Sequence, residues 1–309
     1  MVILTCRTLH FSRVQSCATV VTRPETTSSS HRRPRAIAAT RRARRSNRSG
    51  RILLRDALCG SSIRRDLLDG GFCQGIVSDC SSGESSSAFI RYFLGLRIDA
   101  PYSLDDMRND TVGLMDALEI EKAHVVGASM GGMIAQLVAS RNGERVKSLV
   151  SIMSSSGDPR LPTGKPKAVA TLTASRPPKD DRESCVRFEM SIRRAIESPG
   201  YPASETHLRA EVERTYDRNN YRAGMARQLM AVLSSGSRVE LLRTIRVPAL
   251  VLHGVDDPLV PVEAGEDTAR HIPGAVLKTF PGWGHDMPAA LIPVLAAEIA
   301  GHCRAAEIA

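Results

Sequence analysis

Five residues, Gly127-Ala128-Ser129-Met130-Gly131, constrain this chain more than any others. They follow an apolar run, Ala123-His124-Val125-Val126, and lead into Met133-Ile134-Ala135-Gln136-Leu137-Val138-Ala139, a helical pattern. A strand, a Gly-x-Ser-x-Gly turn and a helix, in that order, form a nucleophile elbow. The reversal is so sharp that strand and helix backbones nearly touch, and only small residues fit around the serine. Gly127, Ala128, Gly131 and Gly132 meet that steric demand. An ordinary turn serine would leave these four small neighbours without a reason.

The text around the elbow alternates strand and helix. Ser103-Leu104-Asp105-Asp106 reads as a helix N-cap followed by acids in the first turn. The helix it opens sets Met107, Val112, Met115 and Leu118 on roughly one face. After the elbow helix comes a strand over Val146–Met153, and the rhythm returns with a strand at Pro248–Gly254 and a helix at about Val262–Ile272. A strand at Ala275–Phe280 and a closing helix at Ala289–Ala300 follow. Such alternation predicts an α/β fold with a mostly parallel sheet and helices on both faces. Residues 155–240 interrupt it. Pro159, Pro162, Pro166, Pro177 and Pro178 separate amphipathic stretches at Arg182–Ile196, Glu205–Tyr216 and Arg222–Leu233. A helical excursion between two strands of such a sheet is expected to form a lid over a core made of 97–154 and 241–309.

Net charge sorts the remainder. The chain carries a formal +9, yet residues 1–50 hold eleven Arg, no Lys and one acid, Glu25, so 11 − 1 = +10 resides there. The other 259 residues therefore sum to 9 − 10 = −1, which removes the case for a nucleic-acid-binding core. Residues 1–50 read as a basic, disordered leader. Three origins are open for it: an organelle transit peptide, a flexible basic arm, or text from an incorrect start or reading frame. Without a targeting role the expected compartment is cytoplasmic; with one, an organelle. Residues 51–96 show only brief apolar patches, Ile52-Leu53-Leu54 and Gly75-Ile76-Val77, where an α/β domain should show strands. Five of the seven cysteines fall in the first 80 residues without paired metal spacing, so neither a disulfide framework nor a zinc site is implied. No apolar run approaches the length of a membrane span.

A serine hydroxyl is a poor nucleophile at neutral pH. It needs a histidine to take its proton and a carboxylate to orient that histidine. In the elbow fold these lie on loops after successive strands, in chain order serine, acid, histidine. The loop after the 248–254 strand reads His253-Gly254-Val255-Asp256-Asp257-Pro258 and offers two carboxylates. The loop after the 275–280 strand reads Pro281-Gly282-Trp283-Gly284-His285-Asp286 and offers one histidine. His124 and His253 flank strands and read as structural. Ser129 and His285 are thus the candidate nucleophile and base, with Asp256 and Asp257 both open as the acid.

Residues 97–300 resemble α/β-hydrolases of the capped esterase group, which includes aclacinomycin methylesterase-like proteins, haloperoxidase-like hydrolases and enol-lactonases. The resemblance rests on Tyr102–Met107, His124–Gly132, His253–Pro261 and Gly282–His285. It implies Ser129 as nucleophile, His285 as base and Asp257 as acid, since the family's acid is the Asp of His-Gly-x-x-Asp. It implies Met130 as an oxyanion-hole donor through its backbone amide. A serine at the elbow argues against haloalkane dehalogenation, which uses an aspartate there. The implied activity is hydrolysis of a small-molecule carboxylic ester or lactone through an acyl-enzyme, with no metal or organic cofactor. The sequence departs from the family upstream. The loop that gives a second oxyanion amide has only Gly70-Gly71-Phe72 as a weak counterpart, and the N-terminal strands read as missing or degenerate. The alternative expectation is therefore an impaired or inactive remnant.

Overall fold

The computed structural model describes residues 2–5, 18–20 and 88–308, leaving out 89, 93, 179 and 219–221. Six strands form one sheet: β1 (Val2–Thr5), β2 (Ala18–Val20), β3 (Ala123–Ala128), β4 (Val146–Ile152), β5 (Ala249–Gly254) and β6 (Val276–Phe280). Their spatial order is β2-β1-β3-β4-β5-β6, parallel throughout except for the β1–β2 pair. Every residue of β3 and β5 is buried, as expected of strands covered on both faces. Register divides their side chains cleanly. Val125, Leu149 and Ala249 stand in one row and join a core on one face; Val126, Val150 and Leu250 stand in the next row and join a core on the other.

Helix α1 (Leu104–Ala117) begins at Ser103, whose hydroxyl accepts from Asp106 N while the Asp106 carboxylate accepts from Ser103 N at 2.8 Å. This capping box fixes the start, and Leu104, Met107, Thr111 and Met115 form the buried stripe. Val112 and Leu118 lie only half-buried beside it. Helix α2 (Met130–Arg141) crosses from β3 to β4 and buries ten consecutive residues, Met130–Ala139.

Between β4 and β5 the chain leaves the sheet for a helical insertion. It comprises α3 (Pro166–Ala170), α4 (Arg182–Ile196), α5 (Glu205–Arg218), α6 (Arg222–Ser234) and α7 (Val239–Leu242). Helices α4 and α5 share a small core of Val186, Met190, Leu208 and Val212, and Arg182 bridges them by pairing with Asp217 at 2.9 Å. The sheet then resumes with β5, α8 (Val262–His271), β6 and α9 (Ile292–Ala306). The last helix begins three residues later than its sequence pattern predicts, after a turn in which Leu291 N donates to Pro288 O. No helix among the described residues is long and apolar enough to cross a membrane.

One correction concerns the N-terminus. The sequence reads residues 1–50 as lying wholly outside the fold, yet β1 and β2 belong to the sheet. The physical reason is the free edge of β3. A central strand has backbone groups on both sides that need partners, and β1 supplies them in parallel register from Val2↔Val125 to Thr5↔Ala128. The Gly70-Gly71-Phe72 stretch lies outside the described residues, as do both apolar patches of 51–87.

Candidate active site

Ser129 occupies the turn between β3 and α2 with φ 54° and ψ −122°, one of three described non-glycine residues at positive φ. Such a conformation costs on the order of 1–3 kcal/mol and persists only where the surroundings impose it. The surroundings here are specific. Ser129 N donates to Ile152 O at 2.9 Å, and Ser129 O accepts from Gly132 N and the Ser154 hydroxyl, each at 2.9 Å. A Cβ on Gly127 would lie 2.1 Å from Gly131 O, and one on Gly132 would lie 2.6 Å from Ser154 Cβ. Gly127 is thus dictated by the close approach of strand and helix, and Gly132 by the Ser154 side chain packed against it.

The other two candidates arrive from neighbouring strand ends. Asp257, in the loop after β5, is buried, and its Oδ1 accepts from Leu259 N at 2.9 Å and Val260 N at 2.8 Å. Those two bonds aim the second oxygen. Asp257 Oδ2 lies 2.6 Å from His285 Nδ1, and His285 Nε2 lies 3.0 Å from Ser129 Oγ. With Nδ1–H donated to the carboxylate, Nε2 is left as an acceptor facing the Ser129 hydroxyl. The carboxylate left open beside it, Asp256, faces elsewhere: its Oδ2 accepts from Gly282 N at 2.7 Å and so holds the start of the histidine loop. Two adjacent acids serve one histidine, one at the ring and one at the loop.

His253 is fully buried beneath the acid loop. Its Nε2–H donates to Val260 O at 2.8 Å, and its ring packs so tightly on α8 that a Cβ on Gly265 would lie 2.4 Å from Nδ1. Burial pushes its pKa below the usual histidine value, outweighing the nearby Asp257 charge. It therefore stands neutral under the loop it supports. His124 lies at the far end of the sheet, between Ser148 at 2.8 Å and Glu307 at 3.0 Å.

Met130 opens α2, and the first N–H groups of a helix have no carbonyl one turn back to bond. With the helix dipole behind it, this amide suits a developing negative charge beside Ser129 Oγ. The chain leaves β1 at the same sheet end, because Thr5 is level with Ala128; the residues that follow Thr5 lie outside the described ones. On α6, Met230 is buried and Leu229 half-buried, while Met225 Sδ accepts from Arg176 at 3.1 Å.

The histidine loop also touches the insertion, a contact with no signal in the sequence. Trp283 is fully buried, its Nε1–H donating to Asp286 O at 2.7 Å and its ring meeting Phe280 edge-on. His285 N donates to Ile196 O at 2.8 Å, and Gly200 N donates to Gly282 O at 2.9 Å. No pattern in 196–200 marks it as a partner of a loop more than 80 residues away.

Comparison with known proteins gives the same outline. The model of a family described as the alpha/beta hydrolase family matches residues 74–293, a span that includes Ser129, Asp257 and His285. A rhodomycin D methylesterase from Streptomyces peucetius is 25% identical over 226 residues, covering 67% of this chain and 76% of that protein. A pimeloyl-acyl-carrier-protein methyl ester esterase from Chromobacterium violaceum is 31% identical over 166 residues, covering 53% of this chain and 63% of that protein. Among solved structures, a meta-cleavage product hydrolase from Pseudomonas fluorescens IP01 shares the fold with a TM-score of 0.51 at 20% identity, covering 67% of this chain and 72% of that one.

Proposed function

The chain belongs to the alpha/beta hydrolase family, and from that premise we propose that it is a serine hydrolase cleaving a carboxylic ester or lactone through an acyl-enzyme. The observation that carries this reading is the unbroken line of hydrogen bonds from Ser129 Oγ through His285 to Asp257. Ser129 Oγ attacks the substrate carbonyl carbon as its proton passes to His285 Nε2. Asp257 keeps the ring in the tautomer that can accept and stabilises the imidazolium that forms. The Met130 amide faces the oxyanion of the tetrahedral intermediate. One such donor is worth about 10²–10³ in rate. The intermediate collapses when the imidazolium returns its proton to the departing alkoxide. Water then gives a proton to Nε2 and attacks the acyl carbon, and a second collapse frees the acid and restores the Ser129 hydroxyl.

In this reading residues 155–240 are the lid, and Met225, Leu229 and Met230 of α6 line its apolar side. Methyl esterases among the relatives support a carboxylic ester as the substrate class. The test is turnover of p-nitrophenyl acetate together with fluorophosphonate labelling mapped to a residue. Release of p-nitrophenol and a covalent adduct on Ser129 are expected. A folded protein that neither turns over the ester nor labels overturns the proposal.

A further inference from the structure

The bonds made by the histidine loop point away from the sheet. Residues 196–200, which leave α4, run antiparallel to residues 282–286. Main-chain bonds mark both ends of the contact, His285 N to Ile196 O at 2.8 Å and Gly200 N to Gly282 O at 2.9 Å. The approach between them is too close for side chains. A Cβ on Gly284 would lie 2.6 Å from Glu197 O, and one on Gly200 would lie 2.8 Å from Gly282 Cα. At the centre sits Ser198, fully buried. Its hydroxyl accepts from Gly284 N at 2.9 Å and donates to the Asp286 carboxylate. Ser198 is thereby bonded to the residue before His285 and the residue after it. Asp286 closes the circle from the loop side, because its carbonyl accepts the Trp283 indole N–H.

We infer that Ser198 and Asp286 are positioning residues for the base: the pair fastens the insertion to the loop of His285 and thereby sets the distance from Nε2 to Ser129. The inference rests on the proposed hydrolase reading for its effect on rate, and on geometry alone for the fastening. Three observations favour positioning over plain packing. Ser198 uses its hydroxyl as donor and acceptor at once, so alanine removes both bonds. The two partners flank the base itself. The carboxylate is carried at a cost, since burial pushes the Asp286 pKa up against the opposing pull of the Ser198 hydrogen bond.

The chain's one tryptophan, Trp283, lies inside this loop and reports on it directly. The experiment compares wild type with Ser198→Ala, Asp286→Asn and the double variant. It reads acrylamide quenching of Trp283, melting temperature, and p-nitrophenyl acetate kinetics per active site titrated with fluorophosphonate. Both single variants should unshield Trp283, and kcat per titrated site should fall about 10- to 100-fold, the scale of a misplacement near 1 Å. KM should change less than threefold. The double variant should be no worse than the poorer single one, because both cut the same link. Trp283 shielded as in wild type in both variants overturns the inference. So does an unshielded Trp283 with wild-type kcat per site, which leaves the pair a merely structural role. Should Ser198→Ala fail to fold, the near-isosteric Asp286→Asn decides. A wild type with no turnover and no label defeats the hydrolase reading instead, and the Trp283 readings still decide whether the pair fastens the loop.

Discussion

The nucleophile elbow and the histidine loop hold two ends of one hydrogen bond, yet they are built on opposite principles. The elbow is made by its own chain. Strand β3, Ser129 and α2 are contiguous, and the steric demand on Gly127 comes from Gly131, four residues on. The histidine loop is made by others. Its Gly282 is held by Asp256, its Gly284 by Ser198 and its His285 by Ile196, none of them within 25 residues in sequence. Local construction makes the elbow rigid by itself. Borrowed construction leaves the position of His285 dependent on whatever segment lies above it.

That contrast can be attacked at several points. The strongest blow is Ser129→Ala, which should lower kcat by about 10⁴- to 10⁶-fold with little change in melting temperature, as steady-state kinetics on p-nitrophenyl acetate would reveal. Next is the pair of acids. Asp257→Asn should cost about 10³–10⁴ in kcat by removing the partner of Nδ1, whereas Asp256→Asn should cost no more than about tenfold, because it loosens only the loop. Equal losses from the two would erase the distinction between ring partner and loop partner.

Glycine substitutions then compare the two regions in stability. Gly127→Ala drives a methyl into backbone that cannot yield, and chemical denaturation should register a loss of about 4 kcal/mol or more. Gly284→Ala meets the backbone of Glu197, which is joined to this loop by hydrogen bonds and not by chain continuity, so a smaller loss of about 1–3 kcal/mol is expected. A larger loss at Gly284 than at Gly127 would reverse the ranking of rigid and borrowed.

The smallest effect concerns pH. His253 has a native pKa held below its unfolded value by burial, so the unfolded chain binds the extra proton as pH falls through about 6.5. Its contribution to stability is therefore full above that pH and is lost below it. The slope is at most about 1.4 kcal/mol per pH unit. Thermal melts of His253→Asn between pH 7 and 5 should decline less steeply than those of wild type.

Legibility from sequence follows the same divide. Ser129 stood out because its constraint is local: small residues, a strand and a helix within a short window. The N-cap at Ser103 was equally plain, since Asp106 lies three residues on. The choice between Asp256 and Asp257 was not available from the loop alone. Adjacent carboxylates in one turn look alike until the fold places them, one toward the ring and one toward Gly282 N. Ser198 was invisible, because a serine between Glu197 and Pro199 carries no periodicity and its partners lie far along the chain. Strand β1 was missed for a related reason. Val2-Ile3-Leu4 beside arginine-rich text has no period of its own, and what recruits it is the unsatisfied edge of β3.

The glycine-to-glycine approach of Gly200 and Gly282 has a consequence for how such a protein can change. Grafting a foreign pocket onto this scaffold is usually pictured as replacing residues 155–240 as one interchangeable piece. Here the piece carries the seat of His285. A hybrid that imports new pocket walls while retaining 196–200 keeps its reaction geometry; one that exchanges the whole segment inherits a histidine with nothing to rest on. Recombination of specificity in this chain has a boundary, and it runs through the end of α4.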